Sequence, residues 1–204
     1  MKKFRFLIVI LGACLLCFNS FAYSAASKQP LESVALSEAK QRLKTIYNTN
    51  NIEEAYKIIS TIPENERDSE IWFLLANISQ DLNEDEDAVF YLQKSILEDP
   101  NNDKAYYNLG NLYLRHDRNY NAIKMYNDAI RIKKNFAPYY YNLGCAYLKV
   151  EDIKKAKSMF SKAVLLDEKE PLYRYNLAYT YKLLGNNKKA QKELDEYNKL
   201  TAGQ

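Results

Sequence analysis

A nine-residue segment recurs at a fixed interval and constrains the fold more than any other feature. The chain reads YYNLGNLYL from Tyr106, YYNLGCAYL from Tyr140 and RYNLAYTYK from Arg174, with 34 residues between successive starts. A recurrence at this period indicates that one supersecondary unit is built several times. A unit of this length cannot bury its apolar face alone, so neighbouring units must stack on one another. The sequence therefore predicts a repeat array.

Regularly spaced alanines mark the second half of each unit. An apolar or aromatic residue stands four places after each alanine. In most units a small or apolar residue stands seven places after it. These spacings place the side chains on one face of a helix. The alanines are Ala55, Ala88, Ala122, Ala156 and Ala190. The nine-residue segment also has the spacing of a helix, and turn residues separate the two halves of the unit. Each unit is therefore predicted to be a helix hairpin.

Two positions in the first helix of each unit have predictable packing roles. Small residues stand at 76, 110, 144 and 178, and we expect two helix backbones to approach closely there. Tyr113, Tyr147 and Tyr181 have the phase of residues between helices, so we expect them in the core. The low content of glycine and proline, five of each, also favours long helices over many short strands.

The N-terminus has the pattern of a secretory signal peptide over residues 1–26. Three basic residues precede an apolar run from Phe6 to Phe18, and small residues follow it. Cleavage after Ala22 or after Ala26 fits the pattern. Two alternatives stay open: an uncleaved membrane anchor, and lipidation of Cys14, because LGAC resembles a bacterial lipobox.

Removal of the signal changes the charge and the cysteine content of the chain. Residues 1–26 hold three basic and no acidic residues, so the mature chain has equal numbers of each sign. A neutral body argues against nucleic-acid binding, which needs clustered lysine and arginine. Cys145 is then the only cysteine, and its thiol either pairs between molecules or is a small buried side chain.

The repeats resemble the tetratricopeptide repeat family, whose unit follows W-x2-L-G-x2-Y, then A-x3-F and P. The copy from Ser69 has Trp72, Leu75, Ala76, Ala88, Leu92 and Pro100, and the copies at 103–136, 137–170 and 171–204 keep most of these positions. Residues 27–68 are interpreted as a linker and a degenerate first hairpin. The resemblance implies an all-α, right-handed superhelical solenoid of antiparallel helix hairpins.

A search for catalytic residues finds no nucleotide-binding glycine loop and no zinc-protease motif. His116 is the only histidine and falls in a predicted turn, where an exposed role is expected. The acidic run NEDED (83–87) is interpreted as a solvated surface at a helix start. The sequence therefore predicts no enzyme, no cofactor and no metal site.

The family resemblance implies a concave groove, lined by the first helix of each unit, that holds a partner peptide. The residues that map to it are Phe73, Asn77, Tyr107, Asn108, Asn111, Arg115, Tyr141, Asn142, Cys145, Lys149, Tyr175, Asn176, Tyr179 and Lys182. Tyrosine offers contact area and asparagine can bond a peptide backbone, although the same residues also suit stacking between units. The family's carboxylate clamp has basic residues where this chain has Phe73, Pro138 and Asn142, so that clamp is not expected. Arg115, Lys149 and Lys182 would favour an acidic segment.

The predicted function is that of an exported protein-interaction scaffold, with the bacterial periplasm as the preferred location and secretion or membrane association as alternatives. The resemblance suggests a role in assembly or maintenance of an envelope structure. An envelope protein that binds glycan or a small ligand on the tyrosine-rich concave face is the alternative. A homodimer through the last helix is a further hypothesis.

Overall fold

The computed structural model describes residues 33–49 and 51–202, and every described element is helical. The predicted signal peptide, both cleavage sites, Cys14 and residues 27–32 lie outside this range. The described residues form ten α-helices and one short 3-10 helix, with no strand among them. None of the described helices is both long and apolar enough to cross a bilayer.

The chain divides into two compact units, and the first ends at Arg67. Its described part contains α1 (Ser33–Asn48), α2 (Ile52–Thr61) and a 3-10 turn (Glu64–Glu66). Helices α1 and α2 contact each other as a hairpin. Within α2, Ala55 and Ile59 are buried, as the alanine-plus-four spacing predicts.

The second unit begins at Asp68 and contains four helix hairpins, named A to D here. After the first helix of this unit, each helix contacts the helix that precedes it, within a hairpin and between hairpins. This stacking buries the alanines and, in hairpins A to C, the large residue four places on, as at Ala122 and Tyr126. The helices are α3 (Ser69–Asp81) and α4 (Asp85–Glu98) in hairpin A, α5 (Asp103–Arg115) and α6 (Asn119–Ile132) in B, α7 (Ala137–Lys149) and α8 (Ile153–Leu166) in C, and α9 (Pro171–Leu183) and α10 (Asn187–Thr201) in D.

The turn inside each hairpin contains one residue with a left-handed backbone. Asn83, Asp117 and Glu151 have φ of 60°, 55° and 60°, and Gly185 has φ of 73°. These four positions are 34 residues apart, so all four hairpins reverse direction in the same way. Only glycine adopts this conformation without steric cost, and asparagine and aspartate tolerate it better than glutamate does.

The two glycines of the first helices, Gly110 and Gly144, have a different cause from the one expected. A Cβ on Gly110 would lie 2.6 Å from Cε1 of Tyr126, and a Cβ on Gly144 would lie 2.7 Å from Cε1 of Phe160. The nearest atoms are therefore those of an aromatic ring on the second helix of the same hairpin, and not the backbone of another helix. Each glycine makes room for a fully buried ring.

The tyrosines expected between helices are partly buried. Tyr113 packs against the core clusters of α3–α5 and of α6–α7. Tyr147 packs against the α6–α7 and α8–α9 clusters, and Tyr181 against the latter. Their rings therefore link successive hairpins, as the phase of the repeat predicts.

Candidate functional site

The residues predicted for the groove all lie on the first helices of the hairpins, α3, α5, α7 and α9. We call this set the first-helix row. Direct hydrogen bonds join row members on adjacent first helices, and they involve positions 107, 108, 111, 142 and 176. Phe73, at the start of the row, is partly buried against the α3–α5 core cluster. The row is therefore continuous from hairpin to hairpin.

The asparagines of the row bond to one another across hairpins. Nδ2 of Asn108 donates to Oδ1 of Asn77 at 2.9 Å. One repeat later, Nδ2 of Asn142 donates to Oδ1 of Asn111 at 2.8 Å and also to Oη of Tyr107 at 2.9 Å. Both donors of the Asn142 amide are thus used inside the molecule. These asparagines hold neighbouring hairpins in register, and they do not form an open ladder for a peptide backbone.

A buried tyrosine closes this network from the second helix. Oη of Tyr126 donates to Oδ1 of Asn111 at 2.8 Å. Burial raises the pKa of Tyr126 and, less strongly, that of Tyr107 above their ordinary value of about 10. Both hydroxyls therefore stay protonated at neutral pH and act as hydrogen-bonding groups of the interface between hairpins B and C.

Cys145 interrupts the asparagine series at the position that Asn77 and Asn111 occupy in earlier hairpins. Nδ2 of Asn176 bonds to Oη of Tyr141 at 3.3 Å and to the carbonyl oxygen of Leu172 at 3.0 Å. Burial raises the pKa of the Cys145 thiol to about 11, and burial together with the nearby thiol raises the pKa of Tyr141 to about 12. A neutral, partly buried thiol is a poor nucleophile, so Cys145 has a packing role.

The basic residues at the ends of the first helices already face carboxylates of the preceding hairpin or turn. Arg115 lies 2.6 Å from Asp85, and His116 lies 2.7 Å from the other oxygen of the same carboxylate. Lys149 lies 3.3 Å from Asp117. The expectation that Arg115 and Lys149 attract an acidic partner is thus weakened by these intramolecular pairs, whereas Lys182 is exposed at the end of α9.

The row becomes open and apolar at hairpin D. Four large residues of α9 are about half exposed: Leu172 (53%), Tyr175 (49%), Tyr179 (47%) and Leu183 (48%). Their spacing of three and then four residues places them on one face of the helix. We call these four residues the α9 stripe.

Sequence reasoning found the two tyrosines of the stripe and missed the two leucines. The repeat register contains the missing signal. Where α5 has Arg115 and α7 has Lys149, α9 has Leu183, and where α5 has Asn111, α9 has Tyr179. The exposed face of the last first helix is therefore more apolar than the same face of its predecessors.

The sequence matches the tetratricopeptide repeat family over residues 29–203, nearly all of the chain. The chain belongs to the tetratricopeptide repeat family. The predicted all-helical solenoid of this family is confirmed by the described helices and by the solved structures that resemble them. Such a fold supports a scaffold for protein–protein interaction.

Several solved structures of MamA proteins share the fold. MamA residues 41 to the end from Desulfovibrio magneticus RS-1 superimpose with a TM-score of 0.74 at 22% identity, covering 83% of this chain and 96% of that one. A double mutant of MamA RS-1 gives a TM-score of 0.75 at 22% identity, covering 82% and 95%. MamA AMB-1 gives 0.73 at 16% identity, covering 85% and 95%. At these identities the likeness shows the fold alone, and no curated protein matches the chain.

Proposed function

We propose that the mature chain is an exported, non-enzymatic scaffold that holds a segment of another protein on the first-helix row. Family membership supports an interaction module, and the α9 stripe supplies the observation that favours a partner at this end of the row. Four half-exposed apolar residues on one helix face form a patch of the kind that marks an interaction site. In this proposal the scaffold serves assembly or maintenance of a bacterial envelope structure.

The hydrogen bonds of the row indicate where the partner makes its contacts. The amides in hairpins A to C bond within the molecule, so they have little capacity left for a peptide. The tyrosines of hairpin D expose large rigid rings, which contribute contact area at a low cost in conformational entropy. Partner binding in this proposal therefore depends on Tyr175 and Tyr179 more than on Asn108 or Asn142.

Site-specific photo-crosslinking tests this proposal in the native cell. A photoreactive amino acid replaces Tyr179 in one variant and Tyr120 in a control, because Tyr120 is 77% exposed on the second helix α6, away from the row. The expected result is a discrete protein adduct from position 179 that position 120 does not form. Equal adducts at both positions, or none at position 179, would contradict the assignment of the row.

A carbohydrate-binding function predicts a different outcome. If the mature protein binds an envelope oligosaccharide, Tyr175→Ala and Tyr179→Ala would abolish that binding while protein adducts elsewhere stayed unchanged. Isothermal titration calorimetry with cell-wall oligosaccharides distinguishes the two cases.

Export has its own test, because it is independent of the partner. Fractionation and N-terminal mass spectrometry should find the chain in the periplasm, beginning at Tyr23 or Ser27, if cleavage follows Ala22 or Ala26. A chain that retains residues 1–22 in the cytoplasm would refute export. A lipid-modified N-terminus at Cys14 would establish the membrane-anchored alternative.

A further inference from the structure

At the junctions of hairpins B with C and C with D, one first helix docks on the previous one through the same two contacts. In the first case, α7 docks on α5: the ring of Tyr139 lies 4.9 Å from the ring of Tyr107, and Asn142 donates to Oη of Tyr107 at 2.9 Å. In the second case, α9 docks on α7: the ring of Tyr173 lies 5.0 Å from that of Tyr141.

The second contact of this docking also repeats. Asn176 donates to Oη of Tyr141 at 3.3 Å, as Asn142 does to Oη of Tyr107. The two docking residues are three positions apart in both helices, so they lie on one helix face. The complementary pair is therefore an aromatic residue and an asparagine at i and i+3 on one helix, facing a tyrosine on the other.

Tyr175 is the third tyrosine of this series, and within residues 33–49 and 51–202 no helix docks on it. Its ring contacts Tyr197 of its own hairpin at 5.5 Å, as Tyr107 contacts Tyr126 and Tyr141 contacts Phe160. However, Tyr107 and Tyr141 are mostly buried and bonded, whereas Tyr175 is 49% exposed. The rest of the α9 stripe is exposed with it.

We infer that the α9 stripe binds an α-helix of another protein that carries an aromatic residue and, three residues later, an asparagine. This inference rests on the proposed function and names the chemistry of the partner. The aromatic residue stacks on the Tyr175 ring, and the asparagine donates to its hydroxyl oxygen. Tyr179 and Leu183 add the apolar area that Asn111 and Arg115 do not offer in α5.

The neighbouring helix α10 indicates that this partner binds reversibly. In hairpins A and B the second helix covers the next hairpin with Val89 and Ile96, and with Ile123 and Ile130. The same register in α10 has Gln191 and Asn198, both exposed. Permanent interfaces are more apolar than this, so a polar α10 beside an apolar α9 fits a separable partner.

The chain itself supplies a probe of the required chemistry. A labelled peptide with the sequence of residues 136–150, with Cys145→Ala to prevent oxidation, contains the Tyr139 and Asn142 pair. Fluorescence anisotropy should show saturable binding to the mature protein. Binding should be abolished by Tyr175→Ala in the protein and unaffected by the control Tyr120→Ala, with circular dichroism melts confirming that both variants are folded.

A double-mutant cycle isolates the hydrogen bond. Tyr175→Phe in the protein removes the acceptor, and Asn142→Ala in the peptide removes the donor, and each should weaken binding about fivefold. The two changes together should weaken it no further than one alone, because they remove the same bond.

Three results would overturn this inference: absence of peptide binding, peptide binding that survives Tyr175→Ala, or self-association through the α9 stripe that the peptide does not compete with. The last result, seen by analytical ultracentrifugation and lost in Tyr175→Ala, would show that a second copy occupies the stripe. Protein adducts at Tyr179 that persist without peptide binding would leave the proposed scaffold intact and refute only the helix chemistry.

Discussion

At the scale of single residues, the size of the residue in the first helix matches the size of its partner in the second. Gly110 and Gly144 stand opposite the rings of Tyr126 and Phe160. In hairpins A and D the same register has Ala76 with Leu92 and Ala178 with Leu194. Glycine thus accompanies an aromatic ring and alanine accompanies leucine, because the space between the helices is fixed and well packed.

This pairing predicts that Gly144→Ala destabilises the protein although alanine favours a helix. The new Cβ would lie 2.7 Å from the ring of Phe160, and we expect a loss of about 1–3 kcal/mol in the free energy of unfolding. Urea denaturation measures this loss. With Phe160→Leu present, Gly144→Ala should be neutral or stabilising, because the leucine leaves the space that the methyl group fills. An equal cost in both backgrounds would contradict the pairing.

The buried tyrosines predict a loss of stability at alkaline pH. Burial raises the pKa of Tyr141 and of Tyr173 to about 12, above their ordinary value of about 10. Because the folded protein favours the protonated hydroxyl, this contribution is complete below about pH 10 and is lost as pH rises towards about 12.

Urea denaturation across this pH range should show a falling free energy of unfolding, with tyrosinate absorbance rising on unfolding. Tyr141→Phe should have a shallower pH dependence, because phenylalanine does not titrate. Tyr120→Phe is the control, since Tyr120 is 77% exposed and should leave the slope unchanged.

At the scale of elements, the hairpin turns differ in how well their residue suits a left-handed backbone. Asn83, Asp117 and Gly185 have residue types that accept a positive φ. Glu151 has neither the short polar side chain of asparagine and aspartate nor the missing Cβ of glycine. The turn between α7 and α8 is therefore the most strained of the four.

We expect Glu151→Gly to stabilise the protein by about 1 kcal/mol, because glycine relieves the steric cost of φ at 60°. The reciprocal change Gly185→Glu should destabilise the protein by a similar amount. Thermal unfolding followed by circular dichroism measures both. A destabilising effect of Glu151→Gly would show that contacts of the glutamate side chain outweigh the backbone strain.

The same elements show how far the sequence predicts the structure. The helix pairs, their spacing and the buried alanines follow from the period of the repeat. The orientation of the asparagine side chains does not follow from this period. An amide three residues from a tyrosine can bond a ligand or a neighbouring hairpin equally well. Asn142 bonds Tyr107 and Asn111, so Asn142→Ala removes two contacts between hairpins.

At the scale of the whole molecule, the second unit is a chain of nearest-neighbour contacts. Its helices pack on the helix before and the helix after, and the direct contact between α5 and α7 spans only one hairpin. The free energy of unfolding of such a stack is approximately the sum of the stabilities of the single hairpins and of the interfaces between them. The sequence predicts this architecture because every hairpin must satisfy the same packing requirement.

This additivity predicts that an inserted copy of residues 103–136, placed after Phe136, folds and raises stability. In the inserted copy, Asn108 would meet Tyr107 and Asn111 of the original copy, as Asn142 does in the natural chain. Guanidinium denaturation should give a higher midpoint and a larger m value. A control insert without Gly110, and so one residue short, should lower the midpoint, because it shifts the helix face that follows.

The bonds that Asn108, Asn142 and Asn176 make to the preceding hairpin join residues 31 or 35 positions apart, on either side of the repeat period. A change in length by one whole period leaves a partner for each asparagine, whereas a change by a single codon within a first helix rotates the remaining residues by about 100° and separates donors from acceptors. The coding sequence can therefore gain or lose whole repeats. The length of the scaffold then changes while the interfaces between hairpins stay the same.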